Sequence, residues 1–199
     1  FKAVKIKVGK PEWKEDLERL RLVREAVGPH INIMMDANQG MNVPDALALA
    51  RAARELGIQW FEEPISHTDY EGYRLLRNQA GISLAMGERE YSTVPLRELA
   101  SRNALDIWQP DILRLGGVEA WRNSAAVAGA FNIQVLPHYY KDYDVPLLAT
   151  IPNGSGTESF DWIDPLIDNP VKFTDGYAIP HDKSGWGFGF KDECLSVIG

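Results

Sequence analysis

The segment Trp60-Phe61-Glu62-Glu63-Pro64 ends a short apolar run in a carboxylate, and Met35-Asp36 before it and Met86-Gly87-Glu88 after it do the same. Asp36 precedes Glu62 by 26 residues, and Glu62 precedes Glu88 by the same 26. A β-strand, a crossover helix and two short loops occupy roughly 25 to 30 residues, so carboxylates recurring at that interval stand at equivalent ends of neighbouring parallel strands. Three acids then converge on one point. Crowded carboxylates repel one another in a protein interior unless a cation neutralises them, so the cluster reads as a site for a hard divalent ion.

The same alternation extends in both directions. Phe1 to Val8 puts Lys5 and Lys7 on one face and Val4, Ile6 and Val8 on the other, the pattern of a strand with two inward lysines. Trp13, Leu17, Leu20, Val23 and Val27 follow helical spacing up to the stop signal Gly28-Pro29. Ile31 to Asp36 is the next strand, Asn42 caps an alanine-rich helix running to Leu56, and Ile58 to Glu62 is again a strand. Helices are expected from Asp69 to Gln79, from Pro95 to Ser101, after Gly116-Gly117 and from Val145 to Ile151. Strands are expected from Ile82 to Met86, Asp106 to Gln109 and Ile133 to Leu136, with a last one ending near Glu158 to Phe160.

Seven strands separated by helices spell an all-parallel α/β fold. An open doubly wound sheet gathers its chemistry at one switch point, whereas here nearly every strand ends in a polar or charged residue, the mark of a (β/α)8 TIM-type barrel. Closure needs eight strands, so the lysine strand is expected to be the second, with the first lying upstream. Residues 1–160 would form strands two to eight, and 161–199, rich in Gly, Pro and aromatics, an irregular return segment.

At 199 residues with 45% hydrophobic content, the chain is long and apolar enough to bury a sizeable core. A formal charge of −7 disfavours nucleic acid and acidic membrane surfaces, which leaves a small molecule as the expected partner. The single cysteine, Cys194, excludes an internal disulfide framework and fits a cytoplasmic location. The chain starts without methionine on a segment that already reads as strand, so an upstream portion is expected.

The strand ends supply Lys5 and Lys7, Asp36, Glu62, Glu88, Asp111, His138 and Glu158. Magnesium bound by three carboxylates keeps positions open for a bidentate carboxylate ligand, and it would stabilise the enediolate formed when a proton leaves the carbon next to that carboxylate. Lys7 is the candidate base, with burial and the like charge of Lys5 lowering its pKa. His138 is the second acid or base, oriented by Asp111. Glu158 would share a hydrogen bond with the substrate carboxylate. His30, His67 and His181 read as surface or loop residues, and Trp60, Trp108 and Trp121 as packing.

In order and spacing, Lys5-Ile6-Lys7, Asp36-Ala37-Asn38, Glu62-Glu63-Pro64, Gly87-Glu88, Asp111 with Gly116-Gly117, His138 and Glu158 closely resemble the mandelate racemase subgroup of the enolase superfamily. The resemblance runs over essentially the whole chain. It implies a barrel that binds Mg2+ through Asp36, Glu62 and Glu88, with Lys7 as base on one face and His138 with Asp111 on the other. Glu158 would assist at the substrate carboxylate, with Lys5 and Asn38 in support. It also implies an N-terminal α+β capping domain, for which this chain has no room, and a homo-oligomeric complete protein.

The leading functional expectation is a Mg2+-dependent lyase that dehydrates an acid sugar. A racemase or epimerase of a 2-hydroxy acid is the alternative on the same residues, and a truncated barrel that binds metal without turnover is the reading from another class. Arg89 and Lys141 hint at a doubly acidic substrate. Without a cap, the segment alone is expected to bind but not turn over.

Overall fold

The computed structural model describes residues 1–195. Six strands form one parallel sheet: β1 (Ala3–Lys7), β2 (Asn32–Asp36), β3 (Ile58–Glu62), β4 (Ser83–Met86), β5 (Ile107–Trp108) and β6 (Gln134–Val135). They lie in sequence order across the sheet, each beside its neighbour in the chain. That order contains no reversal, so the sheet has no switch point of the doubly wound kind. Lys5 on β1 forms an ion pair with Glu158, which follows β6, so the first strand and the chain beyond the last lie within side-chain reach of each other.

The crossovers are helical. They are α1 (Trp13–Val27), α2 (Val43–Ala53, continued by a 3-10 turn over Arg54–Leu56), α3 (Tyr70–Ala80), α4 (Val94–Ser101), α5 (Ile112–Leu115), α6 (Val118–Ala130) and α7 (Lys141–Leu148). The Asn42 side chain caps α2 by accepting from the Asp45 N–H at 2.9 Å, and Asp69 caps α3 by accepting from Gly72 at the same distance. Each cap satisfies a backbone donor that would otherwise be orphaned.

Two apolar layers result, as a sheet with both faces covered requires. The larger lies between sheet and helices and includes Leu20, Ile33, Met35, Leu49, Phe61, Leu76, Leu84, Trp108 and Trp121. The smaller, on the other face, joins Trp60, Ala85 and Ile107 with Met34 and Leu136. All three tryptophans pack, as expected.

Two expected elements differ. The seventh strand shrinks to a single parallel bridge between Val135 and Gly154, with the Val135 N–H on the Asn153 carbonyl at 2.8 Å and the Ser155 N–H on the Val135 carbonyl at 2.9 Å. Pro152, Gly154 and Gly156 punctuate this stretch, and such residues weaken a ladder. Glu158 therefore sits on irregular chain. Helix α7 begins at Lys141 rather than Val145 and carries Pro146 inside it, where the ring removes one intrahelical N–H.

The return segment holds a 3-10 turn (Asp164–Leu166), a hairpin of β7 (Lys172–Thr174) and β8 (Tyr177–Ile179), and a second 3-10 turn (Asp192–Cys194). Its last four residues, 196–199, lie outside the described residues. It docks on α7: Lys141, only 2% exposed, pairs with Asp142 at 2.8 Å and with Asp164, and Asp142 also accepts from the Val171 N–H at 2.6 Å. Lys141 thus carries packing, not substrate contact, which removes half of the expected doubly acidic recognition.

Asp142→Ala leaves Lys141 buried with one partner fewer and the Val171 N–H unpaired, and should lower stability by about 3 kcal/mol in urea denaturation. Limited proteolysis should then cut first between Asp161 and Lys191.

Candidate active site

Lys7, Asp36 and Glu62 are paired side by side across β1, β2 and β3, so the ends of three strands place them level with one another. Beyond β3 the register drifts. Glu62 lies level with Ala85, which leaves Glu88 three residues past the row. Equal spacing in sequence is therefore not equal height, because the crossover from β3 brings Ala85 level with Glu62 before Glu88 is reached. The loop after β4 then turns at Gly87 (φ +145°), where an added Cβ would sit 2.9 Å from the Gln109 backbone nitrogen. Only glycine fits that approach.

Lysines neutralise the first two acids. Lys5 is 16% exposed and donates to Glu62 at 2.7 Å and to Glu158, with Asp36 at 3.8 Å. Burial is the largest influence on the Lys5 ammonium and lowers its pKa, but the charges of Glu62 and Glu158 outweigh it and hold the group above its ordinary range. Lys7 donates to Asp36 at 2.5 Å and to the Asn38 side chain at 2.6 Å. It is 64% exposed, so the burial expected to activate it does not act here; Lys5 is the buried lysine. Asp36 also accepts from the Asn38 N–H at 2.8 Å.

Glu62 is 1% exposed, and one of its oxygens accepts from Lys5 and, at 2.9 Å, from the Gln109 side chain. Its other oxygen is buried without a partner. Burial pushes its pKa up to about 7, with Lys5 opposing and Asp36 and Glu158 adding to the rise. Glu63 ends the strand in a left-handed conformation and is buried against Arg89 at 3.1 Å.

At the far edge, His138 Nδ1 lies 3.0 Å from Asp111 and Nε2 lies 3.3 Å from Glu88. Asp111 has a second task, capping α5 by accepting from the Leu113 and Arg114 N–H groups at 2.9 and 3.1 Å. Burial lowers the His138 pKa, but the bond to Asp111 and the charges of Glu88 and Glu158 raise it further than burial lowers it. Glu158 accepts from the Tyr139 N–H at 2.8 Å with its second oxygen. The expected residues are thus gathered at one end of the sheet, in two groups: the lysines with Asp36, Glu62 and Glu158, and His138 with Asp111 and Glu88.

Sequence reasoning missed three features. Gln109, just past β5, orients Glu62 from two strands away. Asp144 on α7 is fully buried with both oxygens unpartnered, and burial, with Asp111 and Glu158 next, raises its pKa well above the carboxylate range. His67, expected to be a loop residue, lies 2.8 Å from buried Glu90. Nothing local in the sequence signals these pairings.

The chemistry of the donor set fits a hard divalent cation: all-oxygen acids, a buried carboxylate oxygen with no hydrogen-bond partner, and a Glu62 whose burial favours neutralisation. As arranged, with lysines on Asp36 and Glu62 and His138 on Glu88, no group of three acid, imidazole or thiol side chains among the described residues converges closely enough to hold a metal.

Comparison with known proteins follows the same lines. A family model described as enolase C-terminal domain-like matches residues 1–194. The L-talarate/galactarate dehydratase of Salmonella typhimurium is 32% identical over 96% of this chain and 48% of its own length. The 3,6-anhydro-alpha-L-galactonate cycloisomerase of Streptomyces coelicolor is 31% identical over 94% and 52%. Among solved structures, an L-talarate dehydratase from a Polaromonas species complexed with Mg and L-glucarate superposes with a TM-score of 0.93 at 29% identity, over 98% of this chain and 54% of that one. A racemase from Streptomyces coelicolor with bound magnesium gives 0.93 at 30%, over 97% and 54%. The chain spans about half the length of the curated relatives it matches.

The raised Glu62 pKa sets a sign for stability in metal-free buffer. A folded-state value above the unfolded one means that the folded protein holds the extra proton, so this contribution is full below about pH 4.5 and is lost as pH rises through about 7. Glu62→Gln should flatten that decline in chelator-treated protein by on the order of 3 kcal/mol or less, read from urea midpoints between the two pH values.

Proposed function

Because the chain belongs to the enolase C-terminal domain-like family, we propose that it carries the proton-transfer residues of a Mg2+-dependent acid-sugar dehydratase. The observation that carries this reading is the pairing of Asp111 with His138 at one edge of the carboxylate cluster and of two lysines at the other. Relatives named as acid-sugar dehydratases, and a neighbour complexed with Mg and L-glucarate, support it.

Asp36, Glu62 and Glu88 would hold the ion. A bound Mg2+ supplies positive charge that stabilises negative charge building on the substrate carboxylate. Lys5, kept as an ammonium by Glu62 and Glu158, cannot accept a proton and serves as a fixed positive charge. Lys7, accessible at the end of β1, would act as the base in its neutral amine form, released from Asp36, and take the proton from the carbon next to the carboxylate. His138, whose pKa is raised by the bond to Asp111 and the nearby carboxylates, is the acid that would deliver a proton to the departing β-hydroxyl, which leaves as water. Asp111 fixes the imidazole by accepting from Nδ1, which leaves Nε2 to act. Glu158 positions the substrate carboxylate, and Asn38 steadies Lys7.

A second reading, racemisation or epimerisation of a 2-hydroxy acid, keeps every residue and has His138 return its proton to the same carbon. The likeness to a structure named as a racemase favours it.

Assay of the full-length protein against a set of acid sugars in deuterated water separates the two readings: dehydration releases water and a keto product, whereas racemisation exchanges the α-hydrogen without loss of water. His138→Asn should lower turnover by about 10²- to 10⁴-fold while Lys7-dependent exchange persists, and Lys7→Ala should abolish exchange. Unchanged Mg2+ affinity in Glu62→Gln by calorimetry would remove Glu62 from the ligand set.

A further inference from the structure

Beside His138 stands a cluster of aromatic rings that the proton chemistry does not use. Tyr139 lies 5.5 Å from the His138 ring, Phe160 lies 5.2 Å from Tyr139, and Trp162 lies 5.2 Å from Phe160 and 5.4 Å from Tyr139. The series leads outward, for Trp162 is 66% exposed. Large aromatic surface left open next to convergent polar groups is the usual composition of a ligand pocket.

Tyr139 is held there at a conformational cost. Its φ is +77°, a left-handed conformation that bulky side chains rarely adopt. That turn aims its N–H at Glu158 and lays its ring against His138. Glycine would take the same backbone turn without strain, but it would bring no ring.

The nearby cations limit what the cluster can receive. Lys141 is buried with Asp142 and Asp164, Arg89 is bonded to Glu63, Arg114 donates to the Glu88 carbonyl at 2.6 Å, and Lys5 lies between Glu62 and Glu158. Each of these cations is already engaged by a carboxylate or a backbone carbonyl, so none is free to receive a second carboxylate. An aromatic face carries negative charge density and attracts the weakly positive C–H groups on the flat side of a sugar ring.

Resting on the acid-sugar reading above, we propose that Tyr139, Phe160 and Trp162 form a stacking subsite for a substrate in ring form that bears a single carboxylate. The carboxylate would lie at the polar cluster and the C–H face of the ring against the aromatic side chains.

Calorimetric titration of the full-length protein with Mg2+ present tests this with three probes: a methyl glucuronoside (ring, one carboxylate), gluconate (open chain, one carboxylate) and glucarate (open chain, two carboxylates). The ring acid should bind tightest, and Trp162→Ala should weaken it about tenfold while changing the open-chain acids less than about twofold. Trp162→Phe should retain most of the affinity. Since Trp162 is exposed, the variant should keep its melting temperature; Phe160→Leu provides an independent second variant. Ring acid that binds no tighter than gluconate, equal losses for all three probes, or no binding of any would overturn the subsite. Selective binding of the ring acid, together with no turnover of any acid sugar in the deuterated-water assay of the full-length protein, would instead count against the dehydratase and racemase readings and leave the subsite standing.

Discussion

Carboxylates collected at the ends of parallel strands can be buried together only if positive charge is buried with them. Asp36, Glu62 and Glu158 meet this condition through Lys5, which reaches all three from the middle of β1. The same ammonium links the first strand of the sheet to the chain beyond the last, so one charge offsets part of the cluster's negative charge and joins those two segments. Removing a cation from such a site leaves several unbalanced charges in a low dielectric, a far larger loss than one surface ion pair.

That balance leads to the functional reading. Glu62 keeps one buried oxygen without a partner, and burial pushes its pKa up to about 7. Glu88 stands apart, near His138, and the two groups of residues are the parts a two-sided proton-transfer site needs. The apolar plug of Trp60, Ala85, Ile107, Met34 and Leu136 shares the inner face with these charges and contributes to the low dielectric that gives them their strength.

The return segment adds a second charge-balanced contact. Lys141 and Asp142 on α7 fasten it through Asp164 and Val171, and the rings of Phe160 and Trp162 are thereby brought beside His138. A buried ion pair of this kind contributes more to fixing one arrangement than to net stability.

The sequence by itself determined the parallel α/β alternation, the helix cap at Asn42, and the side chains that meet at one end of the sheet, because strand period, capping chemistry and βα spacing are local properties. Only the tertiary structure decided which lysine is buried, how far Glu88 rises past the row of Lys7, Asp36 and Glu62, that Lys141 faces the return segment, and that the stretch before Glu158 makes one bridge instead of a strand. The partners of Gln109 and His67, and the burial of Asp144, were equally hidden. These features depend on the stagger between strands and on contacts between residues far apart in the chain, and a one-residue difference in a loop shifts them without altering any local pattern.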